Sequence, residues 1–262
     1  MTLTKHEFRL GWKALAIWTA SIGFFIAICV FLYPEMEGEM ASMSDLFASM
    51  GAFTAAFGMD RLNFGTLTGF YAIECGNILG IGGAVFAAFT ASNLLSKEEK
   101  DRTAEYLLTH PVTRTQVVAG KLAALLLQTL AMNLVVFLLA VASMAAIGCD
   151  IPWKELFLLH GSCLLVQIEL EGICFGISAF LRRGGMGLGM GIAICMYALN
   201  IVANLTEKMK FLKYFTPFAY AEGADILTAG RLDGKLVAIG MVITAAGIAA
   251  AFWQYGRKDI HG

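Results

Sequence analysis

The hydrophobic positions of this chain do not alternate and do not favour one narrow helical stripe; they run in blocks. A helix needs about 20 mostly apolar residues to cross a hydrocarbon core roughly 30 Å thick. Six stretches meet that requirement: 14–33, 75–95, 122–147, 156–181, 184–205 and 236–255. Five are free of charge, and the fourth is interrupted by Glu169 and Glu171. The pattern predicts an all-α integral membrane protein with six transmembrane helices, organised as one transmembrane domain over residues 1–262. The first block does not read as a cleavable signal. It is longer than a signal's apolar core, and it continues into Tyr33, Pro34 and Glu35 where a cleavage site would need small residues.

Composition agrees with that class. With 58% hydrophobic residues, 15% charged and a mean hydropathy of +0.70, the chain has too little charge to cover a soluble globule of its length. A net charge of -1 supplies no basic excess for phosphate contacts, which argues against a nucleic-acid partner. Five of the six cysteines, Cys29, Cys75, Cys163, Cys174 and Cys195, fall in or beside apolar blocks, Cys149 falls in a loop, and no C-x-x-C pair exists. They read as small apolar packing residues.

Orientation follows from Lys and Arg near the span ends. An even number of spans puts both termini on one side. Making that side cytosolic places there Lys5, Arg9, Lys13, Lys97, Lys100, Arg102, Arg114, Lys121, Arg182, Arg183, Arg257 and Lys258, twelve of nineteen basic residues. The long segment after span five opposes this with Lys208, Lys210, Lys213, Arg231 and Lys235, diluted by Glu207, Glu222, Asp225 and Asp233. The expected location is the cytoplasmic membrane, multi-pass, with cytosolic N and C termini.

Outside the spans, Lys5, Arg9 and Lys13 recur every four residues while Phe8, Trp12 and Leu15 hold another face. That predicts a helix lying in the cytosolic headgroup layer before turning into span one. Leu46, Met50, Phe53 and Phe57 predict an amphipathic stretch resting on the outer surface. The most patterned loop lies between spans two and three. Ser96 with Glu99, and Thr113 with Gln116, have the spacing of capping boxes, and Pro111 forces a break between them. The expectation is a helix at about 97–109, a tight turn, and a fresh helix entering span three. Tyr106, Leu107 and Leu108 make an apolar knob ringed by Glu98, Glu99, Arg102 and Glu105, the composition of a small protein interface.

Glu98, Glu99, Thr103, Glu105, Leu107, Leu108, Pro111, Val112, Arg114 and Lys121 resemble the loop pattern of ABC-2 family transporter permeases. The six spans, the short outer turn at 148–152 and the stub at 255–260 are similar as well, so the likeness covers nearly the whole chain. Arg102 stands where the family has glycine, and Thr113 replaces a serine. The resemblance implies that 97–109 is a coupling helix docked on a separate ATP-binding cassette ATPase, with Glu98, Glu99, Arg102, Thr103, Glu105, Tyr106, Leu107, Leu108, Pro111 and Arg114 at the docking site. ATP and Mg would be bound by that partner, with no cofactor in this chain. Neither Gly120-Lys121-Leu122 nor Gly234-Lys235-Leu236 completes a P-loop, so the chain is not expected to be an enzyme. Six helices enclose too little space for a bulky cargo, and a second copy or a paralogue is expected to face this one across a dimer.

Two intramembrane features remain. Carboxyls at mid-span are costly, by roughly 2.5–3.5 kcal/mol, and normally face protein or water. Glu169 and Glu171 point to different helix faces, and either line a translocation path or make structural hydrogen bonds with partners such as Gln128, Asn133 or Gln167. Span five opens on Gly184, Gly185, Gly187, Gly189 and Gly191, whose G-x-x-x-G spacings suit close helix packing within the subunit or across a dimer seam. The function this points to is export of a hydrophobic or amphipathic cargo such as a drug, peptide or lipid. A proton-coupled secondary transporter using Glu169 is the alternative. An intramembrane enzyme is more remote, because His6, His110, His160 and His261 are scattered and no G-x-S-G exists.

Overall fold

In a computed structural model of the protein, residues 2–51, 54, 56–100, 112–182 and 185–258 are described. All regular structure among them is helical. The elements are α1 (Thr2–Ser49), α2 (Leu67–Asn93), the short α3 (Lys97–Lys100), α4 (Arg114–Ala146), α5 (Trp153–Ser178), α6 (Met186–Leu205), α7 (Gly223–Ala229) and α8 (Gly234–Arg257). Six of these, all but α3 and α7, are long and apolar enough to cross a membrane. Each overlaps one of the six blocks of the sequence, with α1 and α2 reaching well beyond theirs.

Side-chain contacts set the directions. Leu3 lies against Gly120, the Phe8 carbonyl accepts from Gln128 Nε2 at 3.3 Å, and Leu139 covers Gly23, so α1 and α4 run parallel. Tyr71 meets His160 and Gly83 meets Gln167, so α2 and α5 are also parallel. Thr129 with Glu171 and Asn133 with Gln167 make α4 and α5 antiparallel. Gly172 and Gly176 of α5 pack directly on Thr244 and Gly247 of α8. In that seam the missing side chains let two backbones touch, and van der Waals contact replaces the hydrophobic drive that lipid cannot supply. Both termini and the loop carrying α3 lie on one face of the bundle.

Two expectations are corrected. The N-terminal basic stretch does not lie flat and then turn; it is the first part of one 48-residue helix. At 1.5 Å per residue α1 is about 70 Å long, well beyond a bilayer's full thickness of about 45 Å. No breaker interrupts residues 2–33, Pro34 lies inside the helix without ending it, and the N-terminal turns are held upright against α4. The amphipathic stretch proposed around 46–57 begins as the last turns of α1. Met50 is exposed and Phe57 half-buried, whereas the Leu46 side chain and Phe53 lie outside the described residues.

The second correction concerns the segment after α6, expected as an outer loop. Instead the chain folds back along α6 as a 3₁₀ helix at Glu207–Phe215. Thr216 Oγ1 then donates to the Met196 carbonyl at 2.8 Å, halfway down α6. Phe218 meets Tyr197 edge-on at 5.3 Å. Tyr220, in a second 3₁₀ turn at Pro217–Ala221, reaches α5. Irregular backbone at this depth is tolerated only when protein encloses it, and Pro217, Phe218, Ala219 and Tyr220 are all buried. Glu222 follows, buried and held by Asn204 at 2.6 Å, Asn200 at 3.4 Å and Arg61 at 3.4 Å. Burial pushes its carboxyl above the usual range, and the Asn204 hydrogen bond, Lys213 and Arg61 pull the other way. Glu222 is thus not one of the exposed charges of the outer face.

The backbone contact in the α5–α8 seam gives a sharp test. Gly176→Val places side-chain atoms against the Gly247 carbonyl, which cannot retreat, and should destabilise the purified protein by about 2 kcal/mol. Gly187 has nothing within contact distance, so Gly187→Val should stay within about 0.5 kcal/mol of the parent. Thermal unfolding in detergent measures both, and equal effects would refute the seam.

Candidate functional site

The loop face is organised by two buried lysines. Lys121, on the second turn of α4, is fully buried; its ammonium donates to the Leu94 carbonyl at 2.6 Å, pairs with Glu98, and lies 3.8 Å from Glu7 of α1. Lys97 pairs with the same Glu7. Lys258, just past the end of α8, donates to the Leu181 carbonyl at 2.6 Å and pairs with Glu99 at 2.9 Å. Consecutive glutamates on α3 are therefore held by lysines from two different helices. Arg114, the first residue of α4, completes the arrangement. Its Nη1 donates to the carbonyls of Tyr255, Gly256 and Lys258 at 3.4, 3.3 and 2.7 Å, which occupies acceptors left open at the end of α8.

The loop's caps divide. At Thr113 the capping box is complete: its hydroxyl accepts from the Gln116 N–H at 3.2 Å, and Gln116 Oε1 accepts from the Thr113 N–H at 2.9 Å. At Ser96 it is not formed. The Ser96 hydroxyl is buried with no hydrogen-bond partner among the described residues, and the Glu99 carboxylate that would have answered it is drawn to Lys258. Of the ten residues expected at this site, Glu98, Glu99 and Arg114 converge on one network. Arg102, Thr103, Glu105, Tyr106, Leu107, Leu108 and Pro111 lie outside the described residues. Sequence reading missed Glu7 and Lys258. A buried acid near the chain start and a basic residue beside α8 carried no spacing signal linking them to a loop about ninety positions from the first.

Within the span region, α5 disposes of its two carboxyls on opposite sides, as their spacing implied. Glu169 accepts from Tyr220 Oη at 3.0 Å and sits directly over Gly240 of α8. Glu171, fully buried, accepts from Thr129 of α4. The expected partners are corrected. Gln128 is engaged with the Phe8 carbonyl, Asn133 bonds Gln167 and the Thr129 carbonyl, and Gln167 Nε2 reaches the Leu79 carbonyl at 3.4 Å. Neither carboxyl faces lipid. Nearby, α2 carries a π-helical turn at Gly76–Ile81, where Asn77 accepts from Tyr197 Oη at 3.3 Å. The glycines of α6 also divide. Gly185 and Gly189 pack on Ser92 and on Ala88 with Ser92 of α2, while Gly187 and Gly191 meet nothing within contact distance.

Six helices long and apolar enough to span a bilayer mark a multi-pass membrane protein, with a loop pinned by ion pairs to α1, to α4 and to the end of α8. Residues 1–260 match the family described as ABC-2 family transporter protein, and the chain belongs to it. It is the permease, the transmembrane and non-catalytic part, of an ABC transporter. No curated protein matches the chain.

Removing Lys121 strands Glu98, while Glu7 keeps Lys97. Lys121→Met should cost about 3 kcal/mol in thermal unfolding, and adding Glu98→Gln should recover part of it; a double variant no better than the single would refute the pairing. Tyr220→Phe and Glu169→Leu, combined in a double-mutant cycle, should show a coupling of about 0.6 kcal/mol, and strict additivity would remove the hydrogen bond from the account.

Proposed function

We propose that this permease is driven by a separate ATP-binding cassette ATPase, that loop 97–114 is its docking site, and that the pair works as an exporter of a hydrophobic or amphipathic cargo. ATP and Mg are held by the ATPase, since this chain has no P-loop: Lys121 follows Gly120 but is spent on Glu98 and the Leu94 carbonyl. Two membrane subunits, copies of this chain or a copy and a paralogue, face each other. The loop face is cytosolic and the membrane is the cytoplasmic one.

The observation that carries this reading is the anchoring of α3. A merely solvated loop needs no fastening, yet Glu98 and Glu99 are tied through Lys121 and Lys258 to α4, to α1 by way of Glu7, to the end of α5 at Leu181, and to α8. A force applied to the loop is thereby delivered to several spans at once. This geometry suits the conversion of a partner's motion into rearrangement of the bundle.

Replacing Tyr106, Leu107 and Leu108 together by Asp should abolish co-purification with the ATPase while leaving thermal stability of the membrane subunit within about 0.5 kcal/mol of the parent; undiminished complex formation rules out the loop as the dock. For sidedness, in a cysteine-free background, a cysteine at exposed Thr113 should be shielded from an impermeant thiol reagent in intact cells, and one at exposed Arg231 should react. The reverse pattern inverts the orientation.

A further inference from the structure

On the face opposite the loop, the returning chain, α7 and the start of α8 border an open cavity of about 920 Å³. Its floor is apolar and buried, formed by Ile226, Ala219 and the ring of Tyr220, with Leu232 and Leu236 along one side. Its rim is basic. Of the two aspartates there, Asp225 pairs with Arg61 and with Lys213 at 3.5 Å. Asp233 caps α8, its Oδ1 accepting from the Lys235 and Leu236 N–H groups at 2.9 and 3.4 Å. Arg231 and Lys235 are exposed, and neither has a carboxylate partner among the described residues. Gly230, beside Lys154, has a left-handed conformation (φ 61°) that makes the turn presenting Arg231.

We propose that this cavity binds the headgroup of an anionic glycerophospholipid from the adjoining leaflet, its phosphate against Arg231 and Lys235 and the start of its acyl chains over Ile226, Leu232 and Leu236. The proposal rests on the permease reading only in placing this face at a bilayer surface. Uncompensated cations above an apolar floor match an anionic amphiphile and disfavour a zwitterionic one, whose ammonium would meet the same rim. The volume lies in the range of small-molecule sites, a few hundred to about 1,000 Å³. The neighbouring 3₁₀ helix begins at the outer end of α6 with Lys208 and Lys210 and exposes Phe211, Tyr214 and Phe215 by 55, 55 and 64% as it descends. Arg231 and Lys235 immediately precede the apolar run of α8 at 236–255, so the mouth of the cavity lies at a span end, the depth where phosphates lie.

The test uses the full-length permease in nanodiscs doped with photoactivatable phosphatidylglycerol or, separately, photoactivatable phosphatidylcholine, with labelled peptides identified by mass spectrometry. Phosphatidylglycerol should label residues 226–236 in preference to phosphatidylcholine. Arg231→Ala with Lys235→Ala should reduce that labelling roughly tenfold, and Arg231→Lys with Lys235→Arg should retain it. Equal labelling by the two lipids, or undiminished labelling of the alanine variant, overturns the proposal. No ATPase is present in the assay, so its failure is distinct from a failure of docking.

Discussion

The disposal of two carboxyls by α5 is the constraint around which the bundle is arranged. A carboxyl at mid-depth in a bilayer must be met by protein or water. Glu171 is met from α4 by Thr129, and Glu169 from beyond α6 by Tyr220. The second solution has a large structural consequence. Among the described residues the side chain that donates to Glu169 comes not from a neighbouring span but from the chain after α6, which returns to half the depth of that helix to bring Tyr220 there. Once there, its irregular backbone needs burial of its own, which Pro217, Phe218 and Ala219 provide. The closeness of α8 follows as well: Gly240 leaves room for the Glu169 carboxylate, and the Gly172 and Gly176 seam continues that approach toward the loop face.

At the loop face the same physics works with ion pairs. A fully buried ammonium is tolerable because Lys121 has a carbonyl and two carboxylates around it, and removing any partner exposes the cost of burying the rest. A network of this kind is stiff. The loop can be displaced only by moving the helices with it or by breaking pairs whose alternatives, in a buried setting, are worse.

Much of this was legible in the sequence. A charge-free run of twenty residues has one physical interpretation, so the six spans were readable from composition and length, and the Thr113 cap from local spacing, because the capping box is made between residues three apart. What was not legible depends on long-range company. Lys5, Arg9 and Lys13 look like a surface helix taken alone, and only contact with Gly120 and Gln128 of α4 holds that stretch upright as part of α1. The returning segment 207–221 carries lysines and a 3₁₀ period, both of which read as an aqueous loop. Its membrane depth is set by Thr216 and Tyr220 finding partners on α6 and α5. Gly172 and Gly176 have the same G-x-x-x-G spacing as the glycine run of α6, yet both meet a neighbouring backbone, whereas Gly187 and Gly191 of that run meet nothing within contact distance. Spacing records what a helix face can do and not which neighbour arrives.

The helix that joins these features is α8. Its first residues border the cavity beneath Arg231 and Lys235, its middle lies on the Glu169 carboxylate and the α5 backbone, and its end is gripped twice, by Arg114 on its carbonyls and through Lys258 on Glu99. A seam in which backbone touches backbone cannot compress. Displacement of the loop base therefore has two outlets: α8 slides or tilts with it, disturbing Gly240 under Glu169 and the mouth of the cavity, or the grip at Lys258 and Arg114 is lost. The three charge-assisted contacts at 2.9 Å or less that hold the end of α8, against a mid-span contact made largely of glycine, favour the first. On the proposed reading, displacement of the docking loop reaches the opposite face through one rigid rod, α8, pivoting on the glycines of α5.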